Sequence, residues 1–126
     1  MKLKSYLALF STLLLGSLAQ ALTVEPYSAE ALAKLQAATK PVALHFHADW
    51  CPTCRAQDKT LEALKADTSL NVTVLTVNYD KESDLKKQLH IQTQSTFIVY
   101  RGTVEKTRVI GETSQAAIST ALRTAL

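Results

Sequence analysis

A chain of 126 residues, 47% hydrophobic and 20% charged, has room for one globular domain and no second. Three glycines and three prolines leave no linker or low-complexity segment, and no internal repeat is visible. Of the 14 basic residues Lys2 and Lys4 fall in the opening stretch; without them 12 bases face 11 acids, the formal charge drops from +3 to +1, and no dense basic stripe is left to bind nucleic acid.

The chain begins with a short basic stretch, "MKLK", followed by the apolar run "SYLALFSTLLLGSL" and the small-x-small pattern Ala19-Gln20-Ala21. That is the layout of a signal peptide, and the apolar run is shorter than the ~20 residues a helix needs to cross a bilayer. A signal peptide over 1–21, cleaved after Ala21, is therefore expected. It would deliver a periplasmic or secreted domain over 22–126 with no stable membrane insertion. No cysteine lies near the cleavage site to carry a lipid.

Beyond it the elements alternate. "LTVEPY" suits a short edge strand, since Pro26 is tolerated only at an edge or a strand end. Ser28 can cap a helix running to about Thr39, with Leu32 and Leu35 on one face, and Pro41 stops it. "PVALHFHA" reads as a buried strand, and a helix from about Cys51 to Ala66 puts Leu61 and Leu64 at core spacing. "NVTVLTVNYD" is the clearest strand, a β-branched run ending in a polar turn. "SDLKKQLH" reads as a short helix and "STFIVYRGTVEKTRVIG" as two strands turning near Arg101–Gly102. Thr113 or Ser114 can cap a last helix that buries Ile118, Leu122 and Leu126. The order β-α-β-α-β-α-β-β-α predicts an α/β domain, a central sheet with parallel pairs and helices on both faces.

The only two cysteines, Cys51 and Cys54, stand three apart in "HFHADWCPTCRAQ". A structural zinc site needs about four ligands, and no second C-x-x-C or His pair of suitable spacing accompanies them, so no metal is expected. A bridge across so small a loop removes little chain entropy, and inert free thiols are unusual in an oxidising compartment. Reversible redox chemistry is the use that remains. Cys51 falls where strand gives way to helix, and Pro52 suits the first helical position because its missing N–H is an orphan there anyway. Unpaired N–H groups and the positive helix end favour a thiolate at Cys51. Cys54, nearly a turn further in, is the more shielded thiol. Cys51 is expected to attack and Cys54 to resolve the mixed disulfide.

"ADWCPTC" after an apolar strand, within this order of elements, resembles the thioredoxin superfamily, and the likeness spans the whole of 22–126. "VNYD" resembles the end of its third strand, "LHIQTQSTFIVYRGTVEKTRVIGE" its last hairpin, and Gly111 the glycine before its final helix. "KPVALHFHADWC" is similar to the thioredoxin-like domains of bacterial envelope reductant carriers. The resemblance implies a thioredoxin fold and a thiol–disulfide oxidoreductase, with the dithiol as redox centre and no bound cofactor. Its partners would be cysteine pairs of envelope proteins and a redox partner protein, met by a monomer. It places Trp50, Pro52, Thr53, Ser95 and Thr96 around the substrate.

Two departures stand out. The family usually carries a buried acid six positions before the first cysteine, as a proton relay to the second; here that residue is His45, either a base for Cys54, which its ordinary pKa of ~6.5 would suit, or a neutral, hydrogen-bonded core histidine. On an alternating strand His45 and His47 share a face, opposite Leu44 and Phe46. Asp49 is expected at the solvent edge. The family's cis-proline before the fourth strand is replaced by Ser95; a cis bond before a non-proline costs roughly 3–4 kcal/mol, so a trans peptide is expected, with a regained N–H and a hydroxyl facing Cys51. Pro52 directly after the attacking cysteine is the arrangement of oxidising relatives, whereas the body of the chain resembles reducing ones. Reduction is slightly favoured, and a binding module with a static disulfide is the alternative.

Overall fold

In the computed structural model residues 21–126 are described; residues 1–20, which hold all but the last residue of the expected signal segment, lie outside the described residues. The elements are β1 (Thr23–Pro26), α1 (Ala29–Ala37), β2 (Pro41–His47), α2 (Pro52–Leu64), β3 (Thr73–Asn78), α3 (Ser83–Gln88), β4 (Thr96–Arg101), β5 (Val104–Ile110) and α4 (Gln115–Arg123). This is the expected order. They form a thioredoxin fold: a five-stranded mixed sheet in the order β1-β3-β2-β4-β5, flanked by helices. β3 pairs in parallel with β1 and β2, whereas β4 runs antiparallel to β2 and β5. Among the described residues no helix is long and apolar enough to cross a membrane.

The helix starts follow from local chemistry. The hydroxyls of Ser28 and Ser114 accept the Ala31 and Ala117 N–H groups at 3.0 and 3.1 Å, satisfying donors that have no partner inside α1 and α4. One expectation fails at the far end. α4 stops at Arg123, so Leu126 sits past the last helical turn and is 53% exposed. Ala121 and Ala125 take the inward positions beside Ile118 and Leu122.

β2 is the middle strand, and Val42 to Phe46 are all buried because the sheet is covered on both faces. Val42, Leu44 and Phe46 point toward α1 and α3, meeting Leu75, Val77, Ile98, Leu32, Leu35 and Leu85. Ala43 points the other way, into a layer built by Leu61 and Leu64 of α2 and Ile118 and Leu122 of α4. The period of two puts His45 on this second side, paired in register with Thr76 of β3 and Phe97 of β4. β2 therefore ends with its carboxyl edge aimed at the start of α2, where the cysteines lie.

Candidate active site

After His47 the chain turns tightly, with the Cys51 N–H donating to the Ala48 carbonyl at 3.1 Å, and α2 begins. Cys51 is the helix cap, in extended backbone geometry (φ −90°, ψ 114°), with Pro52 in the first turn as expected. Its sulfur takes the place an oxygen usually fills, accepting the Cys54 N–H at 3.2 Å. The cap that starts the helix is thus also the sulfur best placed to hold negative charge.

Ser95 closes the site from the opposite side. Among the described residues no peptide bond is cis, so Ser95 follows a trans bond. Its φ of +63° lies in the left-handed region, which costs a non-glycine residue about 1–2 kcal/mol. Backbone hydrogen bonds hold it there. The Ser95 N–H donates to the Phe46 carbonyl at 2.8 Å, and its carbonyl accepts the Gly111 N–H at 3.0 Å. Proline could supply neither that N–H nor that φ. The hydroxyl oxygen lies 3.2 Å from the sulfur of Cys51 and 3.2 Å from that of Cys54.

Both cysteines are free thiols, and both are buried: Cys51 is 2% and Cys54 0% exposed. Cys51 is more enclosed than its place at a helix mouth leads one to expect: it shares a buried cluster with Ala48 and Cys54, against which Tyr79 packs. Burial by itself would raise the Cys51 pKa, but hydrogen bonds from the Cys54 side chain, the Ser95 hydroxyl, the Cys54 N–H and the Gln94 side chain outweigh it and hold the thiol at about 7. Burial raises the Cys54 pKa, and so does its bond to Cys51, so Cys54 keeps its proton where Cys51 has lost one. The two sulfurs are electrostatically unequal in the sense expected.

His45 is fully buried, its ring stacked on Phe97 with centroids 4.2 Å apart. Its Nε2 lies 2.8 Å from Oε1 of Gln57, whose amide nitrogen donates to the carbonyls of Ser95 and Glu112 at 3.0 and 2.9 Å. With the Gln57 amide so oriented, Oε1 accepts and His45 carries its proton on Nε2. Nδ1 has no partner. Burial, the largest influence, lowers the His45 pKa to about 4, below the ordinary value on which a relay at neutral pH was expected. Neither ring nitrogen is hydrogen-bonded to a sulfur; His45 reaches the cysteines only through Gln57 and the Ser95 backbone.

The remaining candidates divide. Trp50 is 57% exposed, and its indole N–H donates to Asp80 at 2.8 Å beside a cleft of about 390 Å³ that His47, Asp49 and Asn78 also line. Pro52 is exposed and Thr53 half-buried in the first turn of α2. Thr96 is buried with its hydroxyl donated to the Thr93 carbonyl at 2.9 Å, so its side chain is occupied elsewhere. Asp49 is exposed as expected, and His47 is bonded to Asp58 at 2.8 Å. Gln57 escapes a sequence reading. Its signal was a polar residue in the inward stripe Cys54, Gln57, Leu61, Leu64 of α2.

Comparison with known proteins agrees with this geometry. The family model for thioredoxin matches residues 22–124, and the chain belongs to the thioredoxin family. The crystal structure of Trxlp from Edwardsiella tarda superposes with a TM-score of 0.73 and 40% identity, covering 79% of this chain and 98% of that one. The bifunctional thioredoxin reductase/thioredoxin of Mycobacterium leprae is 25% identical over 96 residues, 76% of this chain but 21% of that protein. Thioredoxin-T of Drosophila melanogaster is 33% identical over 63 residues, 50% of this chain and 40% of that protein. The chain thus spans less than half the length of these two relatives.

Proposed function

We propose that this protein is an exported thiol–disulfide oxidoreductase that exchanges electrons between Cys51/Cys54 and cysteine pairs of other envelope proteins. One observation carries the reading. The Cys51 sulfur caps α2, accepts the Cys54 N–H and faces the Ser95 hydroxyl, which holds its pKa at about 7 while Cys54 stays protonated. The thiolate of Cys51 attacks a substrate disulfide, and Cys54 then displaces the substrate sulfur by closing the Cys51–Cys54 bond. Export rests on the amino-terminal pattern ending at Ala21.

The direction favoured is reduction. A strongly stabilised thiolate makes the dithiol form stable and the disulfide oxidising; strong oxidants of this fold hold the attacking thiol near ~3.5, whereas reducing members keep it near ~7. Cys51, at about 7, lies with the second group. The near-complete enclosure of both sulfurs favours the second reading, a binding module whose bridge never turns over.

An insulin-reduction assay separates the two. Turnover by the wild type, lost in Cys51→Ser and Cys54→Ser, is the expected result. A pair that dithiothreitol reduces readily but that never reduces insulin points to the module. Cys54→Ser should accumulate mixed disulfides with envelope proteins, and equal trapping by Cys51→Ser overturns the assignment of roles.

A further inference from the structure

Resting on that reading, we infer that the Ser95 hydroxyl is a catalytic proton conduit, carrying the Cys54 proton to the substrate sulfur that departs from Cys51. The geometry is the argument. One hydroxyl oxygen lies within 3.2 Å of both sulfurs, and no other side-chain oxygen or nitrogen among the described residues is hydrogen-bonded to the Cys54 sulfur. A hydroxyl has one proton to give and lone pairs to receive another. With Cys51 as the sulfur that carries charge, Ser95 donates to Cys51; once Cys51 is tied up in the mixed disulfide and no longer draws the Cys54 S–H, the hydroxyl accepts that proton.

Resolution needs such a group. In the mixed disulfide Cys54 must lose its proton as it attacks, yet the place from which a buried acid would take it holds His45. That ring is committed to Gln57, and its bare Nδ1 has no hydrogen-bond partner at all. Ser95 can act without changing its own charge. As the Cys54–Cys51 S–S bond forms and the Cys51–substrate S–S bond breaks, the Cys54 proton moves to the Ser95 oxygen and the Ser95 proton moves to the departing sulfur. Two electrons pass from the protein dithiol to the substrate, which leaves as a thiol, and the hydroxyl is restored. In the reverse direction the same path protonates Cys54 as the protein disulfide opens. The backbone of Ser95 is anchored at Phe46, Gly111 and Gln57, which fixes the oxygen between the sulfurs.

Single-turnover oxidation of the reduced protein by glutathione disulfide tests this. Quenched samples analysed by mass resolve two phases, glutathione adding to Cys51 and then leaving as Cys54 closes the bridge. At pH 9, where Cys51 is ionised, Ser95→Ala and Ser95→Gly should add glutathione within about threefold of the wild-type rate. They should close the bridge about a hundredfold more slowly, the lower end of general acid–base effects. The glycine variant relieves the left-handed backbone, so slowing shared by both variants reports the missing hydroxyl rather than a disturbed fold. A solvent deuterium isotope effect on closure in the wild type should disappear in both. Closure slowed no more than addition overturns the conduit and leaves the oxidoreductase standing. A wild type that never closes the bridge removes both.

Discussion

On the side of the sheet covered by α1 and α3, Val42, Leu44, Phe46, Leu75, Val77 and Ile98 make an uninterrupted apolar layer. On the side covered by α2 and α4, β2 instead presents His45, and α2 meets it with Gln57, also fully buried. Both layers lie against the same strands and are closed by the same kind of helix packing. The first can only stabilise. The second has a hydrogen-bonded thread from His45 through Gln57 to Ser95, which stands against the sulfurs. Buried polar groups cost free energy unless every donor and acceptor is matched, and the unpartnered Nδ1 of His45 shows that this thread is not completely matched. The difference teaches where the molecule spends stability on positioning.

The largest effect should come from the apolar side. Leu44→Ala, deep in that layer, is expected to lower unfolding free energy by about 3–5 kcal/mol in urea titrations, with the Cys51 pKa unchanged. A shift in that pKa would break the separation of the two sides. On the polar side, Gln57→Ala strips the acceptor from His45 and a donor from Ser95 and Glu112, and should cost about 2–3 kcal/mol. Replacing both partners, His45→Leu with Gln57→Met, should return most of that stability, because matched polar pairs and matched apolar pairs are close in free energy. If the double variant is no more stable than the single one, the thread is a packing device rather than a hydrogen-bonded one.

The smallest effect is in pH. The folded Cys51 pKa, at about 7, lies below its unfolded value of 9.0, so this thiol contributes stability that is fully present above the unfolded value and is lost as pH falls through the folded one. Cys54 is shifted upward and acts in the opposite sense, losing stability as pH rises past the unfolded value. The reduced protein should therefore gain stability from pH 7 to 8, by at most about 1 kcal/mol, and the gain should fade near pH 9. Cys51→Ser should flatten the rise. An undiminished slope in that variant would assign it to another group and leave the inequality of the two sulfurs without thermodynamic support.

Much of this was legible in the chain. Ser28, Ser114 and Pro52 mark helix starts through local donor chemistry, and the β-branched run at Thr73–Asn78 marks a strand through its own side chains. The alternation of β2 placed His45 and Leu44 on opposite faces. Leu126 misled, because helical spacing continues on paper past the point where α4 ends at Arg123. Gln57 went unread because its partners lie at sequence distances of 12, 38 and 55.

The sequence alone determined the thiol pair, the place of Cys51 at a helix start with Cys54 three residues on, and the absence of proline at Ser95. Each depends on groups within a few residues of one another, or on the identity of a single residue. Only the tertiary structure decided that the Ser95 oxygen stands equally close to both sulfurs, that Cys51 is enclosed, and that His45 hydrogen-bonds Gln57 rather than a sulfur. Those outcomes require β2, α2 and the loop before β4 to be packed together. Sequence spacing cannot encode a distance that exists only once three separate segments share one core.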